Sequence, residues 1–358
     1  MNCSLTRDFA QRAEGQGSLE FDGTESWQRV LSLLRAATSL RTNPIAPMQN
    51  FIARWIRNFE NKNTRESGVA IYHIFDDFSR ERYCPPKILL TPMVEEATRV
   101  AHVISVKEMR KLLISLAYLA IDPGEVFLSA MNDNIRAQYG LLNKNEAIFL
   151  LHGLAVMDSV LSHHSGDERY DLRSIYDFLV SRPDFLDKIR ESPDSAQINM
   201  LADADRWFLG KSEWKYQEDR FQSSPLEGKV AGMLRRCNAD VFEQMDMPYI
   251  NHPVDLSVIY NEKSFHLECD GSTHLVHLCN KQDSYMSGQT IFQSGLIQRA
   301  VDAPLVRLPS YIFGKNAHNK GYWKSFLDQM TGIPEKTSLM LLGVGQPRLL
   351  PIKVTYPF

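Results

Sequence analysis

A fixed spacing of 38 residues constrains this chain more than any other feature of its sequence. Pro47, Pro85 and Pro123 stand 38 residues apart, and each precedes the same apolar pattern. Phe51, Leu89 and Phe127 align, then Ile52, Leu90 and Leu128, then Trp55, Met93 and Met131. Proline suits the first turn of a helix, where its missing N–H leaves no hydrogen bond unmade. Positions i, i+1 and i+4 lie on one helix face, so each set predicts a buried stripe. The helix before each proline keeps the same offset. Leu33, Ile71, Met109 and Ala147 align, as do Ala36, Ile74, Leu112 and Leu150, and Leu40, Phe78, Leu116 and Leu154. Ser105 with Glu108, and Asn143 with Glu146, are capping-box pairs at that offset too. A helix pair recurring at this period cannot bury its apolar face alone, so it stacks on its neighbours. Roughly three and a half such units are expected within residues 25–224, closed by an irregular segment that follows the polar loop after His164. The first 24 residues are expected to be disordered.

From Pro225 the pattern changes. Leu226–Cys237 reads as a helix, and Val254–Asp270 as a hairpin. Gly288–Arg299 reads as a second helix and Leu305–Leu308 as a further strand. This mixture predicts a small α/β domain over 225–330, with 331–358 as a C-terminal extension. The expected class is therefore α+β overall, an α-helical repeat array followed by an α/β domain. In the hairpin Phe265, Leu267 and Cys269 take one face; His266, Glu268 and Asp270 take the other, and Gly271 ends the strand. Paired carboxylates on a strand are costly unless a cation or hydrogen-bond donors compensate them.

The totals narrow the partners. The net charge is -3, and residues 225–330 hold ten Lys and Arg against eleven Asp and Glu. A polyanion would therefore have to be held by local patches rather than by overall charge. The five cysteines are scattered without a CxxC pair, which points to a reducing, intracellular compartment and a cytoplasmic protein. No apolar run is long enough to cross a membrane.

The runs Val254-Asp-Leu-Ser-Val, Phe265-His-Leu-Glu-Cys-Asp-Gly-Ser-Thr-His274, Gly288-Gln-Thr and Leu305-Val-Arg-Leu-Pro309 together resemble a RAP domain. That module sits C-terminal to helical repeats in octotricopeptide-repeat proteins, whose unit also has 38 residues, and in the Fas-activated serine/threonine kinase family. The resemblance covers about 225–330 for the domain and 29–165 for the repeats, and its signature is Glu268-x-Asp270-Gly271-x-x-His274. It implies a restriction-endonuclease-like architecture. It implies RNA binding in RNA processing, stability or translation control, with an organelle or delivery into a host cell as settings. The helix after the Gly-x-Thr turn departs from the family, with Gln293 and Gly295 where basic residues are usual.

Two chemistries compete for these residues. Single-stranded RNA would be met by Lys107, Arg110, Lys111, Lys144 and Asn145 on the repeat helices, and by Lys229, Arg235 and Arg236 on the first helix of the C-terminal domain. Trp207, Trp214, Tyr216 and Phe221 are aromatic candidates for stacking on bases. RNA binding itself would need no cofactor. The alternative is an endoribonuclease with Mg²⁺ held by Asp255, Glu268 and Asp270. With an even loop Asp255 is expected opposite Asp270, and Ser257 opposite Glu268. Glu227 would add a ligand, and Lys229 or His274 would replace the lysine such nucleases carry two residues after the acid. The plainer reading makes Asp270-Gly271 a strand end with Glu268 satisfied by a basic neighbour. A scaffold for protein partners, or a delivered effector, is the third class, because helical arrays bind proteins as readily as RNA.

Overall fold

The computed structural model describes residues 64–352, apart from 86, 165–169, 216–223, 248–252, 272–273 and 278–283. The expectations for residues 1–63, the disordered terminus and the first helix pair among them, lie outside the described residues, as do Tyr216 and Phe221. The protein is mixed α and β. It divides into two compact units. One holds residues 64–146 with 276–285, the other 147–275 with 286–352.

The first unit is helical. Helices α1 (Thr64–Glu81), α2 (Lys87–Val100), α3 (Val106–Tyr118) and α4 (Glu125–Gln138) form two hairpins, and α5 (Lys144–His164) begins at its end. The 38-residue offset holds: α2 and α4 start 38 residues apart, as do α3 and α5. Pro85 and Pro123 each stand two residues ahead of their helix. Helix α1 packs on α3 and α2 on α4, so like stacks on like. The aligned stripes are the packed surface: Ile71 and Met109, Ile74 and Leu112, Phe78 and Leu116, and on the second helices Leu90, Met93, Phe127, Leu128 and Met131 are all buried. Both capping boxes form. Ser105 and Glu108 exchange side-chain and backbone bonds at the start of α3. Asn143 N–H donates to Glu146 Oε2 (2.9 Å) while Glu146 N–H donates to Asn143 Oδ1 (2.9 Å). Residues 276–285 also belong to this unit, and Tyr285 Oη donates to the carbonyl of Leu119 at 2.6 Å.

In the second unit α6 (Leu172–Val180), α7 (Pro183–Arg190) and α8 (Ser195–Leu209) occupy most of the stretch expected to be irregular. Local capping explains them: Asp171 caps α6, and Asp194 with Gln197 forms a capping box at α8. Helix α9 (Pro225–Arg236) follows, then β1 (Asp240–Met245), β2 (Val254–Tyr260), β3 (Lys263–Asp270), the short pair β4 (Leu275–His277) and β5 (Ser284–Met286), most of which belongs to the first unit, and then α10 (Gly288–Ala300) and β6 (Leu305–Pro309). Helices α11 (Ser310–Asn316) and α12 (Lys320–Met330) and strands β7 (Ser338–Leu342) and β8 (Arg348–Pro351) complete the chain. The sheet order is β1-β2-β3-β6-β7-β8. Strands β1 to β3 form an antiparallel meander, β3 to β6 and β6 to β7 are parallel, and β8 returns antiparallel. The segment expected as an extension thus supplies two strands, because Leu339 and Leu341 alternate into the core.

One face of this sheet carries the larger core. Val230 and Leu234 of α9 and Trp323, Phe326 and Leu327 of α12 pack on Leu256, Val258, Phe265, Leu267 and Leu308. The other face, with His266 and Arg307, lies beneath α10.

Candidate functional site

A two-residue turn decides how the acids meet. Asn261 and Glu262 both have positive φ (48° and 64°), and Tyr260 pairs with Lys263. Such a turn matches the twist of the flanking strands. Ser257 therefore faces His266, not Glu268, and the register continues to set Asp255 opposite Glu268 rather than Asp270. The loop has the even length that was expected but two residues fewer, so the acids keep one face and shift by one pair. Two backbone bonds fix them there: Asp255 N–H donates to Glu268 Oε1 (3.1 Å), and Cys269 N–H donates to Asp255 Oδ2 (2.7 Å). The carboxylates thus clamp the start of β2 to the end of β3. Ser257 Oγ and His266 Nδ1, one pair further along, are bonded at 2.9 Å.

The basic neighbour is Arg307, which sequence reading placed on a strand but not at the site. Parallel pairing puts it beside Glu268, and its side chain is 0 % exposed. Its Nη1 donates to Asp270 Oδ1 at 2.7 Å and lies 3.4 Å from Glu268 Oε2. Its Nε donates to Ser294 Oγ (3.0 Å) and its Nη2 to the Thr290 carbonyl (3.4 Å), both on α10. His274 Nδ1 stands 3.3 Å from Asp270 Oδ1. Glu227 is buried at the start of α9, where Gln244 donates to it. Its charge is felt at Asp255.

Several carboxylates share one cation here, so the cluster keeps protons. Burial pushes Glu268 up to about 8, although Arg307 pulls it down. Burial also raises Asp255, to about 6, against the Cys269 N–H bond that favours its ionised form. Arg307 moves upward as well: burial opposes its charge, but Asp270 and Glu268 outweigh that cost. Burial thus favours the neutral form of Glu268 more than that of an ordinary carboxyl group. The guanidinium already fills the place between Glu268 and Asp270 that Mg²⁺ would occupy, so these residues do not fit the metal expected for a nuclease. Among the described residues no three His, Cys, Asp or Glu side chains converge as ligands. Lys229 is exposed on α9.

The RNA candidates separate. Lys229 and Arg236 lie on the exposed side of α9, and neither is ion-paired among the described residues. Arg235 is engaged, donating to the Val241 carbonyl (2.8 Å) and pairing with Glu243 (2.9 Å). On α3, Lys107 pairs with Glu146 (3.5 Å) and Lys111 rests over the Tyr72 ring, 5.2 Å from its centroid. Arg110 is half-buried, and burial lowers its pKa. Lys144 and Asn145 open α5, the first partly buried and the second exposed.

Trp207 packs rather than stacking on a base. Its Nε1 donates to Asp158 Oδ2 (2.8 Å), its ring meets Phe292, and the Arg299 guanidinium lies 3.8 Å from its centroid. A side chain at Gly295 would come within 2.6 Å of that ring, which accounts for the glycine on α10. This contact accounts for the lack of a basic residue at position 295: that part of α10 packs on α8. Helix-to-helix packing of this kind carries no local sequence mark. No family model matches the chain, and none of the curated proteins matches it either.

Proposed function

We propose that this chain is an RNA-binding protein of the RAP type, in which the α/β unit contacts the RNA and its strand acids serve the fold rather than cleavage. The observation that carries the reading is the pairing state of α9. Lys229 and Arg236 stand on one face, about 10 Å apart at 1.5 Å per residue, and neither is neutralised by an acid among the described residues. In a chain of net charge -3, two unpaired cations so placed mark a local patch that can hold phosphates. The meander and parallel crossover, with acids on β2 and β3, are in keeping with the endonuclease-like architecture that the resemblance implies. Arg307 bonded between those acids argues for structure over catalysis.

Fluorescence anisotropy with a labelled RNA, titrated over a range of salt, tests the reading. Each phosphate that the protein ceases to neutralise takes about one unit off the slope of log affinity against log salt. Lys229→Glu with Arg236→Glu is expected to weaken binding and flatten that slope by about two. Binding that is absent in the unaltered protein, or indifferent to salt, would sink the proposal.

A further inference from the structure

Beside those two cations lies a groove between α9 and α11. Leu226, Lys229, Gly232 and Arg236 form one wall, and Phe313, Gly314, Ala317 and His318 the other, around a volume of about 810 Å³. We propose, on the basis of the RNA reading above, that this groove seats the phosphodiester backbone of a single strand and senses its charge rather than its bases.

Charge names the occupant. No carboxylate lines the groove, whereas Lys229, Arg236 and His318 do. The basic surface continues beyond Arg236. The Cys237 thiol, whose Sγ–H contacts the Lys320 carbonyl at 3.8 Å, feels the positive charge of Lys320, Arg236 and Lys324 together. None of these lysines and arginines is ion-paired among the described residues. The sheet separates this surface from the acids, which lie under α10 on its opposite face. Lys229 and Arg236 thus line the groove, and Lys320 and Lys324 stand exposed beyond it, with no acid in the groove lining.

The shape of the groove selects a strand. Gly228 and Gly232 sit four residues apart inside α9, and Gly314 faces them from α11. Added Cβ atoms at all three would meet nothing within 4 Å, so packing does not call for glycine there. A glycine inside a helix costs about 1 kcal/mol relative to alanine. What the three provide is clearance along a cationic trough. A duplex is too wide to enter between two helices and would ride on the rims, whereas one backbone can lie within.

The lining also offers nothing that reads an adenine or cytosine edge. It has no Asn, Gln, Asp or Glu to pair with a base edge, and Phe313, 7 % exposed, offers no open ring for stacking. Lys229 and Arg236, the side chains that could meet a guanine edge, are the ones the phosphates engage.

The test uses the full chain and a fluorescein-labelled twelve-nucleotide uridine RNA. Gly232→Leu fills the trough without altering charge, and it strengthens α9 because leucine outranks glycine in a helix. It is expected to weaken binding at least tenfold, as is Lys229→Glu with Arg236→Glu. A thymidine strand of equal length is expected to bind within about threefold of the RNA, and an RNA duplex at least tenfold more weakly than the single strand. If Gly232→Leu leaves affinity within twofold while the charge reversal abolishes it, RNA lies on an open basic face: the groove is overturned and the RNA reading stands. A duplex that binds as tightly as the strand overturns the groove equally. A preference among homopolymers that vanishes with Gly232→Leu refutes charge-only recognition. No binding by the unaltered protein removes both readings.

Discussion

Replacing Arg307 by methionine isolates the role of the acid cluster. The guanidinium is fully buried, and its closest contact is the 2.7 Å bond to Asp270, itself 1 % exposed. Removing it leaves Asp270 charged in a cavity without a counterion, and strips Ser294 Oγ and the Thr290 carbonyl of a donor. Breaking a buried pair from one side costs about 3–5 kcal/mol, against a typical domain stability of about 5–15 kcal/mol. Glu268 tolerates the loss better, because its contact is longer, 3.4 Å, it is less buried, and burial already favours its neutral form. The loss therefore resides mainly at Asp270, and Asp270→Asn on the Arg307→Met background should recover at least half of it. Urea unfolding followed by tryptophan fluorescence reads this out, with buried Trp323 reporting on the core beside the sheet. A fall in the midpoint at constant slope is the expected form. A loss under about 1 kcal/mol for Arg307→Met, or a double variant no better than the single one, would refute an ion-paired structural cluster.

Other predictions rest on the same geometry. Glu268 and Asp255 have folded-state pKa values raised above their unfolded ones, so the folded protein binds more protons between about pH 4.5 and 8. Stability is then greatest below that window and falls as pH rises through it, by on the order of a few kcal/mol. Glu268→Gln should flatten the decline in unfolding free energy measured from pH 5 to 8, and an unchanged slope would count against burial as its cause. Gly295→Ala drives a methyl to within 2.6 Å of the Trp207 ring and should cost about 1–3 kcal/mol in thermal unfolding. Gly228→Ala, with open space above it, should instead gain up to about 1 kcal/mol, and a loss there would show that the glycine serves packing after all. Ser224→Ala removes the oxygen that accepts from Glu227 N–H at the start of α9, and should cost about 1 kcal/mol by the same measurement.

What could be read from the sequence was local or periodic. The 38-residue offset located α2 to α5, because prolines, caps and apolar stripes all repeat within a few turns of one another. The alternation of residues 254–270 placed the acids on one face. The pairing partner was missed because Asn261-Glu262 lacks the glycine that usually marks a two-residue hairpin, so a loop two residues longer served equally well. Arg307 lies 37 residues from Asp270, and nothing in Leu305-Val-Arg-Leu-Pro309 says which acids it will meet. A lone arginine in an otherwise apolar strand was the available signal, since such a residue demands a buried counterion. Strands β7 and β8 were hidden because they follow two helices, and β7 joins the sheet only at β6 while β8 joins only at β7. The groove joins α9 to residues some eighty positions away, a proximity that only the completed sheet creates.

The assignment of residues 276–285 to the first unit has a consequence for how the protein is made. Tyr285 anchors to the Leu119 carbonyl from a segment that the ribosome synthesises well over a hundred residues later. The helical hairpins can form as they emerge, but their unit is finished only after the chain has passed through β1, β2 and β3 of its neighbour. A fragment ending at residue 146 therefore lacks a piece of its own domain. Nascent chains stalled before residue 285 should be cut by protease in the helical segment more readily than chains released at full length.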